Sequence, residues 1–520
     1  MTEVLVVGAG PTGLVTAIQL RRFGVACRVI DRADGPATTS RALGCHARTL
    51  EALADLGAAG PLVRASRPLR GATYYRGERP VARMIWEPVD GPFPYPLVLP
   101  QAELEAILRA RLAELGAEVE WGRALADVRQ GPDGVVAELS DGTGVAAGWL
   151  VGCDGARSRV REAVGIAFVG AAYPEVYYLG DLALDLRGGG VDDSRIWLGG
   201  ERAILAIPLD DRGTWRVFAD VTPDDPYERV PPPTLEVFQR LLDDRAFGPG
   251  KVRVLGSTWL STFRLQRRQA ERYREGRVFL AGDAAHAFPP FGGQGMNTGI
   301  QDAYNLAWKL AAVVRGWGRP ELLDTYHVER HPACARVIHT VDRSTRLLGW
   351  RHPLAGRARE LLLRTFLRSR VFCRAICRRS SGLALHYRQG TWLSVQVGRT
   401  RGPRAGDRAP DGPLGDGRLF AARDGTRFTL LLFVGAGGPP TLAGVDPARV
   451  QVLPITPARD PDGALRRRYA AGRGALVLVR PDGYIGFRGE LSAGAALGRY
   501  LARIFADAPV RGRVAAAAGG

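Results

Sequence analysis

The apolar run Val4 to Val7 begins almost at the first residue, stops at a glycine cluster, gives way to an amphipathic stretch ending at Gly24, and is followed by a second apolar run closing at Asp31. Strand, glycine turn, helix and strand make a βαβ unit over 3–31. RALGCHARTLEALADL, 41–56, has helical spacing, with Arg41 and Arg48 near its start on what reads as a solvated face. VLPQAELEAILRARLAEL, 98–115, is a strand end and then a helix that places Leu104, Ile107, Leu108 and Leu112 on one side, with Gln101 at its start. Short alternating runs in VEWGRALADVRQ, GVVAELSDG and WLVGCDG predict a small inserted sheet. Between about 170 and 275 the β segments lengthen: VYYLGDLAL, RIWLGG, RAILAIPL, TWRVFADV and RVLGSTWLSTFRL, separated by turn signals such as LDDRGT. They predict an antiparallel sheet, one face of which walls a pocket with Trp197, Trp215 or Phe218. RVFLAGDAAH, 277–286, is a fresh buried strand ending in Asp283, and helices follow through 304–348 and, less regularly, 354–385. A linker rich in Gly, Pro, Arg and Asp spans about 396–418, after which FTLLLFV, VQVLPI and ALVLVRPDGYIGFR read as strands of a compact α/β domain. The tail RGRVAAAAGG is expected to fray.

Composition narrows the class. A chain of 520 residues exceeds the size of a single hydrophobic core, so two or three domains are expected. With 46% hydrophobic and 24% charged residues it has the balance of a globular enzyme. The longest apolar stretch, Leu306 to Val314, is interrupted by Lys309 and followed by Arg315, too short and too charged to cross a membrane. A formal charge of +18 invites a nucleic-acid reading, but the basic residues are scattered rather than gathered into a patch or stripe. Of the 71 basic residues only Lys251 and Lys309 are lysines. The charge favours anionic cofactors instead. Six cysteines without paired spacing fit a reducing compartment, and no leader is visible before Val4, so a cytoplasmic location is expected, as a monomer or homodimer.

Chemistry enters with the glycines. Gly8, Gly10 and Gly13 form G-x-G-x-x-G directly after a strand. The first permits the tight turn, the second lets backbone approach a pyrophosphate, and the third lets helix and strand pack closely. Asp31, followed by Arg32, stands about 20 residues on, where an acidic side chain reaches ribose hydroxyls. DGARSRVR, 154–161, is an Asp-Gly turn into an arginine-rich helix, and residues 282–310, GDAAHAFPPFGGQGMNTGIQDAYNLAWKL, join an acidic residue and a glycine-rich loop to a helix. His327 and His331 within HVERH stand four apart, but the acidic residue is misplaced for a zinc motif, no third ligand is evident and Pro332 breaks the run, so no metal is expected.

These segments, with LPQAELE, LLDTYHVERHP and LVRPDGYIGFR, resemble the class A FAD-dependent aromatic monooxygenases that share the hydroxybenzoate hydroxylase-like fold, and most of all their aromatic-polyketide hydroxylases. The resemblance implies an α/β chain: a Rossmann-like FAD-binding domain with helical extension (1–170 and 276–385), an inserted antiparallel-sheet substrate domain (171–275) and a C-terminal thioredoxin-like α/β domain without redox cysteines (396–510). It implies that Gly8, Gly10 and Gly13 hold the FAD pyrophosphate, with Asp31 and Arg32 at the adenosine ribose, and Arg41 and Gln101 along the pyrophosphate and ribityl chain. Asp154 and Gly155 serve FAD and NADPH, Asp283 the ribityl hydroxyls, and Pro290, Gly293, Gly295, Met296 and Asn297 the isoalloxazine edge. NADPH (or NADH) then reduces FAD, O2 adds at flavin C4a, and the hydroperoxide hydroxylates an electron-rich carbon of a small aromatic substrate, with no protein acid or base strictly required. Where hydroxybenzoate hydroxylase holds its substrate carboxylate with an arginine, AILAIPL is apolar here, which points to a larger polycyclic phenol, with Arg216, Phe218 and Pro290 as pocket residues. A Baeyer–Villiger or epoxidising oxygenase and a flavin-binding protein without oxygenase activity remain as alternatives. A halogenase would need a lysine well toward the N-terminus, and the first is Lys251.

Overall fold

The computed structural model describes residues 1–40, 42–186, 193–198, 203–221, 232–289, 292–348, 353–434 and 445–506. The tail after residue 506 lies outside them.

The strand Thr2–Val7 is buried on both faces and takes parallel partners on each side, Cys27–Ile30 and Gly144–Gly152, and the latter pairs onward with Val278–Leu280. Parallel strands need crossovers, and the helix Pro11–Arg22 supplies the first. It packs between the helices Gln101–Glu114 and Gln294–Val314, the latter buried over most of its length. The runs expected to form a separate small sheet do not: the hairpin Leu125–Gln130 and Val135–Leu139 extends the sheet built on Thr2–Val7, because Gly144–Gly152 is long enough to pair with the hairpin at one end and with Thr2–Val7 at the other.

A second sheet of eight strands holds Phe168–Leu184, Asp193–Trp197, Ile204–Pro208, Thr214–Asp220 and Val254–Ala270, with His286–Ala287 at one edge. Its other edge is the hairpin Gly71–Arg76 and Arg79–Ile85, which the range 171–275 leaves out. That hairpin joins Asp193–Trp197 in parallel register, Arg195 opposite Thr73, so the sheet is not wholly antiparallel. Strand alternation sorts its side chains. Tyr178, Leu182, Trp197, Ile204, Ala206, Trp215 and Val217 form one core with Phe238 and Leu241 of the helix Leu235–Leu242, so Trp197 and Trp215 are packing residues rather than pocket walls. Asp181, Leu205, Ile207, Arg216, Phe218 and Phe263 share the opposite face.

A third sheet orders Val395–Gln396, Ile485–Gly489, Ala475–Val479, Phe428–Phe433 and Val450–Ile455, covered by the helix Gly494–Ile504. It is seated on the helices Gln294–Val314 and Asp324–Leu348. Trp308 meets Phe428 edge-on at 5.4 Å, and Trp308 and Ala312 share a core with Leu430 and Leu501. Beside this core lies a buried charge cluster: Glu329 accepts from both Arg480 terminal nitrogens (2.6 and 2.9 Å), Lys309 (2.8 Å), Asn305 (2.9 Å) and Thr391 (3.1 Å). Arg480 also pairs with Asp482.

Three local readings change. The helix expected from residue 41 begins at Ala47, because Gly44–Cys45 pairs as a strand with Leu97–Val98. Arg48 is not solvated: it is 3% exposed, pairs with Glu51 and donates to the Asp482 carbonyl. The helix Asp324–Leu348 runs through Pro332, held by buried Glu329 and Arg330 before it and Ala333 and Cys334 after it. The linker, too, is pinned: Arg408 pairs with Glu51, and buried Asp411 accepts from Arg418 at 2.6 Å. Among the described residues no helix is long and apolar enough to cross a membrane.

Candidate active site

Missing side chains bring the three motifs together. Gly8 has φ 106°, and a Cβ there would stand 2.4 Å from the Cys153 carbonyl oxygen, just before the Asp-Gly motif. A Cβ on Gly13 would fall 1.8 Å from the Gly8 carbonyl oxygen. Thr12 sits where a Cβ on either Gly282 or Gly299 would come within 2.5 Å of its hydroxyl, so the first and third motifs touch through one threonine. The second and third are joined by Ala281 N–H donating to the Gly152 carbonyl (3.0 Å) and Arg161 donating to the Ala284 carbonyl (3.0 Å).

Gly10 alone of the fingerprint faces open space, with nothing within 4 Å of its would-be Cβ. It starts the helix Pro11–Arg22 without a side-chain cap. Gly293, left-handed at φ 62°, starts Gln294–Val314, also without one. Two uncapped helix N-termini offer unpaired N–H groups and the positive end of their dipoles, which suits a pyrophosphate at the first. The donors and the clearance at Gly10 fit a dinucleotide such as FAD.

The residues expected at the cofactor divide by how their side chains are used. Asp31 follows Cys27–Ile30 and accepts from Ala9 N–H (2.7 Å) and Ala33 N–H (2.9 Å), bracing the glycine loop, while Arg32 beside it is exposed. Gln101 is committed inward, accepting from Ala42 N–H (3.2 Å) and donating to Glu105 (2.8 Å). Asp154 accepts from the Ser158 hydroxyl (2.5 Å) and Val160 N–H (3.1 Å), organising the start of the short helix Arg159–Ala163; burial raises its pKa, opposed by those bonds. Gly155 is left-handed with open space around it. Asp283 is exposed in the turn Gly282–Ala284. The loop helix begins six residues before Ile300, so Gly295, Met296 and Asn297 form its first turn. Asn297 donates to the carbonyls of Gly44 (2.7 Å) and Gly293 and accepts from His46 N–H (2.9 Å), tying the two segments together and leaving its side chain no donor to spare for a flavin. Arg41 and Pro290 lie outside the described residues.

Of the pocket residues, Phe218 is on the sheet face opposite the Trp215 core, packed edge-on against Phe263. Arg216 shares that face but is no free cation: it is fully buried and grips Asp181 through two bonds (2.6 and 2.7 Å), with Trp259 donating to the same carboxylate (2.9 Å). The half-buried apolar side chains there are Leu205 and Ile207, from AILAIPL.

Two groups escaped the sequence reading. Asp302, fully buried, accepts from Gly282 N–H (3.1 Å), His286 (2.5 Å) and Arg330 (2.6 Å), so it holds the Gly282–Ala284 turn from behind. Burial opposes charge on both sides of this pair, but Arg330 and His286 pull the Asp302 pKa down, and Cys334 and Asp302 lift that of His286. The QDAYNL spacing, one helical turn past the glycines, was the available signal. The second is His46, taken up below.

A family profile described as FAD binding domain matches residues 1–341, and one described as aromatic-ring hydroxylase, C-terminal, matches 402–508. The 6-methylpretetramide 4-monooxygenase of Streptomyces rimosus is 40% identical over 94% of this chain and 91% of its own length. The chain belongs to the FAD-dependent aromatic-ring monooxygenases. It is an oxidoreductase of that family, with an FAD-binding domain of mixed α/β fold. Rifampicin monooxygenase of Streptomyces venezuelae is 35% identical over 94% of the chain and 96% of its own. Aklavinone-11 hydroxylase, solved in a ternary complex with FAD and aklavinone, superposes with a TM-score of 0.80 at 29% identity, covering 96% of this chain and 98% of that one.

Proposed function

We propose that this monooxygenase hydroxylates a polycyclic aromatic polyketide, using FAD, NADPH and O2. The balanced change is one C–H bond converted to C–OH: one oxygen atom enters the product, the other leaves as water, and NADPH supplies two electrons. Bound FAD accepts the hydride and activates O2 for transfer of one oxygen atom. Everything else falls to the chain. Gly8, Gly10 and Gly13 with the helix start Pro11–Arg22 would hold the pyrophosphate, Asp31 the adenosine end, Asp283 the ribityl chain, and Gly293 to Asn297 the ring edge through backbone donors. Asp154 and Gly155, which abut Gly8, would serve the nicotinamide nucleotide.

The observation that carries the substrate reading is the face of the second sheet that holds Asp181, Leu205, Ile207, Arg216, Phe218 and Phe263. The guanidinium among them, Arg216, is already spent on Asp181, while Leu205, Ile207, Phe218 and Phe263 give an apolar surface. Such a wall suits fused rings better than a small carboxylate. Relatives named for 6-methylpretetramide and anhydrotetracycline fit the same class. Neither lysine serves a halogenase, since Lys251 is exposed and paired with Glu78, and Lys309 is locked to Glu329. The C-terminal sheet, which we read as thioredoxin-like, follows the last cysteine, Cys377, and does no thiol chemistry. It acts by bracing the helices Gln294–Val314 and Asp324–Leu348.

NADPH oxidation measured with and without tetracyclic phenols tests the reading. Oxidation stimulated by substrate, with a product heavier by one oxygen atom, supports it. Ring expansion of a ketone would favour a Baeyer–Villiger oxygenase, an epoxide an epoxidising one, and no turnover with any phenol or ketone would sink hydroxylation.

A further inference from the structure

Between the flavin-binding half and the second sheet lies a narrow slot lined by His46, Trp86, Glu87, Tyr95, Cys377 and Ser381 among others. His46 immediately precedes the helix Ala47–Asp55, and Trp86 immediately follows the edge strand Arg79–Ile85. Their rings stand 6.4 Å apart.

Each carries one unanswered polar atom. His46 Nε2 lies 2.8 Å from the Gly292 carbonyl oxygen, which can only accept, so Nε2 bears the hydrogen and donates. In the neutral ring Nδ1 is then a bare acceptor, and it makes no hydrogen bond among the described residues. Trp86 has an indole Nε1–H that is buried and without a partner among the described residues. A buried donor left unpaired carries its desolvation penalty with nothing to offset it. One acceptor without a protein partner and one buried donor, on rings 6.4 Å apart, match the two halves of a hydroxyl group: its oxygen accepts from an indole, and its hydrogen goes to an imidazole.

We propose that this slot receives the reacting phenolic ring of the substrate, that Trp86 Nε1–H binds the phenol oxygen, and that His46 Nδ1 accepts its proton. The O–H bond breaks, an N–H bond forms on Nδ1, and the electron pair stays on the phenolate oxygen, from which it enriches the ring carbons ortho and para to it. An electrophilic oxygen transfer needs that enrichment. The Gly292 carbonyl, in the loop before Gln294–Val314, holds the imidazole through its other nitrogen, so the base is referenced to the loop that would frame the flavin.

The neighbours leave His46 as the base. Burial lowers its pKa, opposed by the Gly292 bond, so the ring is neutral and able to accept at neutral pH. Glu87 is faced by Arg370 and Arg374 of the helix Arg370–Ser380, each at 3.7 Å. The Cys377 thiol is pushed up to about 11, mainly by burial, and stays protonated. Gln294 approaches the imidazole at 3.3 Å but already donates to the Gly292 and Ser380 carbonyls. The slot encloses only about 10 Å³, room for about one water. A ring therefore enters only when the 89–96 stretch, carrying Val89, Pro94, Tyr95 and Pro96, moves outward while Trp86 stays on the strand edge, its backbone N–H held by the Arg70 carbonyl (2.9 Å).

This inference rests on the hydroxylase reading, and the test separates the two. Gln at position 46 keeps an N–H for the Gly292 carbonyl and removes the Nδ1 acceptor; Phe at position 86 removes only the indole N–H. 4-Nitrophenol, whose phenolate is distinguished from the phenol by absorbance, is titrated with pH in the presence of flavin-loaded enzyme, and flavin content is measured in parallel. The wild type is expected to lower the apparent pKa of the bound probe by about one unit or more. His46→Gln is expected to abolish that shift while retaining flavin, Trp86→Phe to diminish it, and kcat of His46→Gln with a phenolic substrate to fall by about a hundredfold or more below that substrate's own pKa, recovering as pH rises through it. An unchanged shift in His46→Gln, failure of the wild type to bind the probe, or loss of flavin with a normal shift would each overturn the proposal. Failure of any phenol to stimulate NADPH oxidation by the wild type would instead count against the hydroxylase reading.

Discussion

Glu329→Gln strikes the charge cluster that seats the C-terminal sheet. The substitution keeps the side-chain shape but turns one acceptor toward donors as an NH2 group, in a site where Arg480, Lys309, Asn305 and Thr391 all donate. Lys309 and Arg480 are then left with Asp482 as their only carboxylate among those described here. Breaking a fully buried ion pair from one side costs about 3–5 kcal/mol. The two cations do not share this equally. Burial, with Arg480 alongside, lowers the Lys309 pKa from the ordinary 10.5 to about 8, Glu329 and Asp482 holding it up in part. Lys309 can escape by shedding its proton, which caps its share at about 1.4 kcal/mol at pH 7 and about 3 kcal/mol at pH 6, from 1.36 kcal/mol per unit. Arg480 cannot deprotonate and carries the rest. The sign follows. Lys309 binds fewer protons folded than unfolded between pH 8 and 10.5, so it lends the wild type stability that rises with pH in that window. In Glu329→Gln the folded pKa drops further and the rise begins below pH 8. Denaturant unfolding at pH 6, 7 and 8 should show a loss of about 3–5 kcal/mol at pH 7 that is larger at pH 6 and smaller at pH 8. A loss under about 1 kcal/mol, or one independent of pH, would refute the reasoning.

Other substitutions probe the cofactor cradle. Gly10→Ala should fold, with a stability change of about 1 kcal/mol or less, yet purify depleted of flavin, since its Cβ meets open space in the protein and only a ligand would collide with it. Gly13→Ala should fail to accumulate folded, because 1.8 Å from the Gly8 carbonyl cannot be relieved without parting helix from strand; equal yields of the two variants would contradict this. Asp283→Ala should give folded protein without yellow colour, and stoichiometric flavin in it would remove Asp283 from the ribityl contact. Asp302→Asn should weaken flavin retention and lower the thermal midpoint together, because it releases the Gly282 turn and unpairs buried Arg330; a midpoint equal to wild type would argue against that coupling.

Much of the nucleotide half was legible because its signals are local. The strand ending at Gly8, the helix starting at Pro11 and the Leu104, Leu108, Leu112 face each declare themselves within a dozen residues, and the structure buries those three leucines completely. What escaped depends on partners far along the chain. Arg48 looks like a solvated helix residue until the Asp482 carbonyl, 434 residues on, is set beside it. The 71–85 hairpin gives no sign that Arg195 will pair with Thr73. Pro332 reads as a helix break because the buried anchors on either side of it belong to tertiary packing. His46 was invisible for a similar reason: its significance lies in Gly292 and Trp86, not in its neighbours.

The Glu329–Arg480 contact also dates the assembly of the molecule. The two residues are 151 positions apart, and a ribosome working at roughly 5–20 residues per second takes roughly 8–30 seconds to travel between them. Throughout that interval Glu329 and Lys309 have been made, but the Arg480–Asp482 pair that completes their cluster has not. The helices Gln294–Val314 and Asp324–Leu348 must therefore wait, with the Lys309–Glu329 pair and the apolar seat around Trp308 uncovered, until the last sheet arrives. A nascent chain stalled in this window should be the form most prone to proteolysis and to capture by chaperones, and cofactor loading should follow release of the finished chain rather than completion of the glycine motifs.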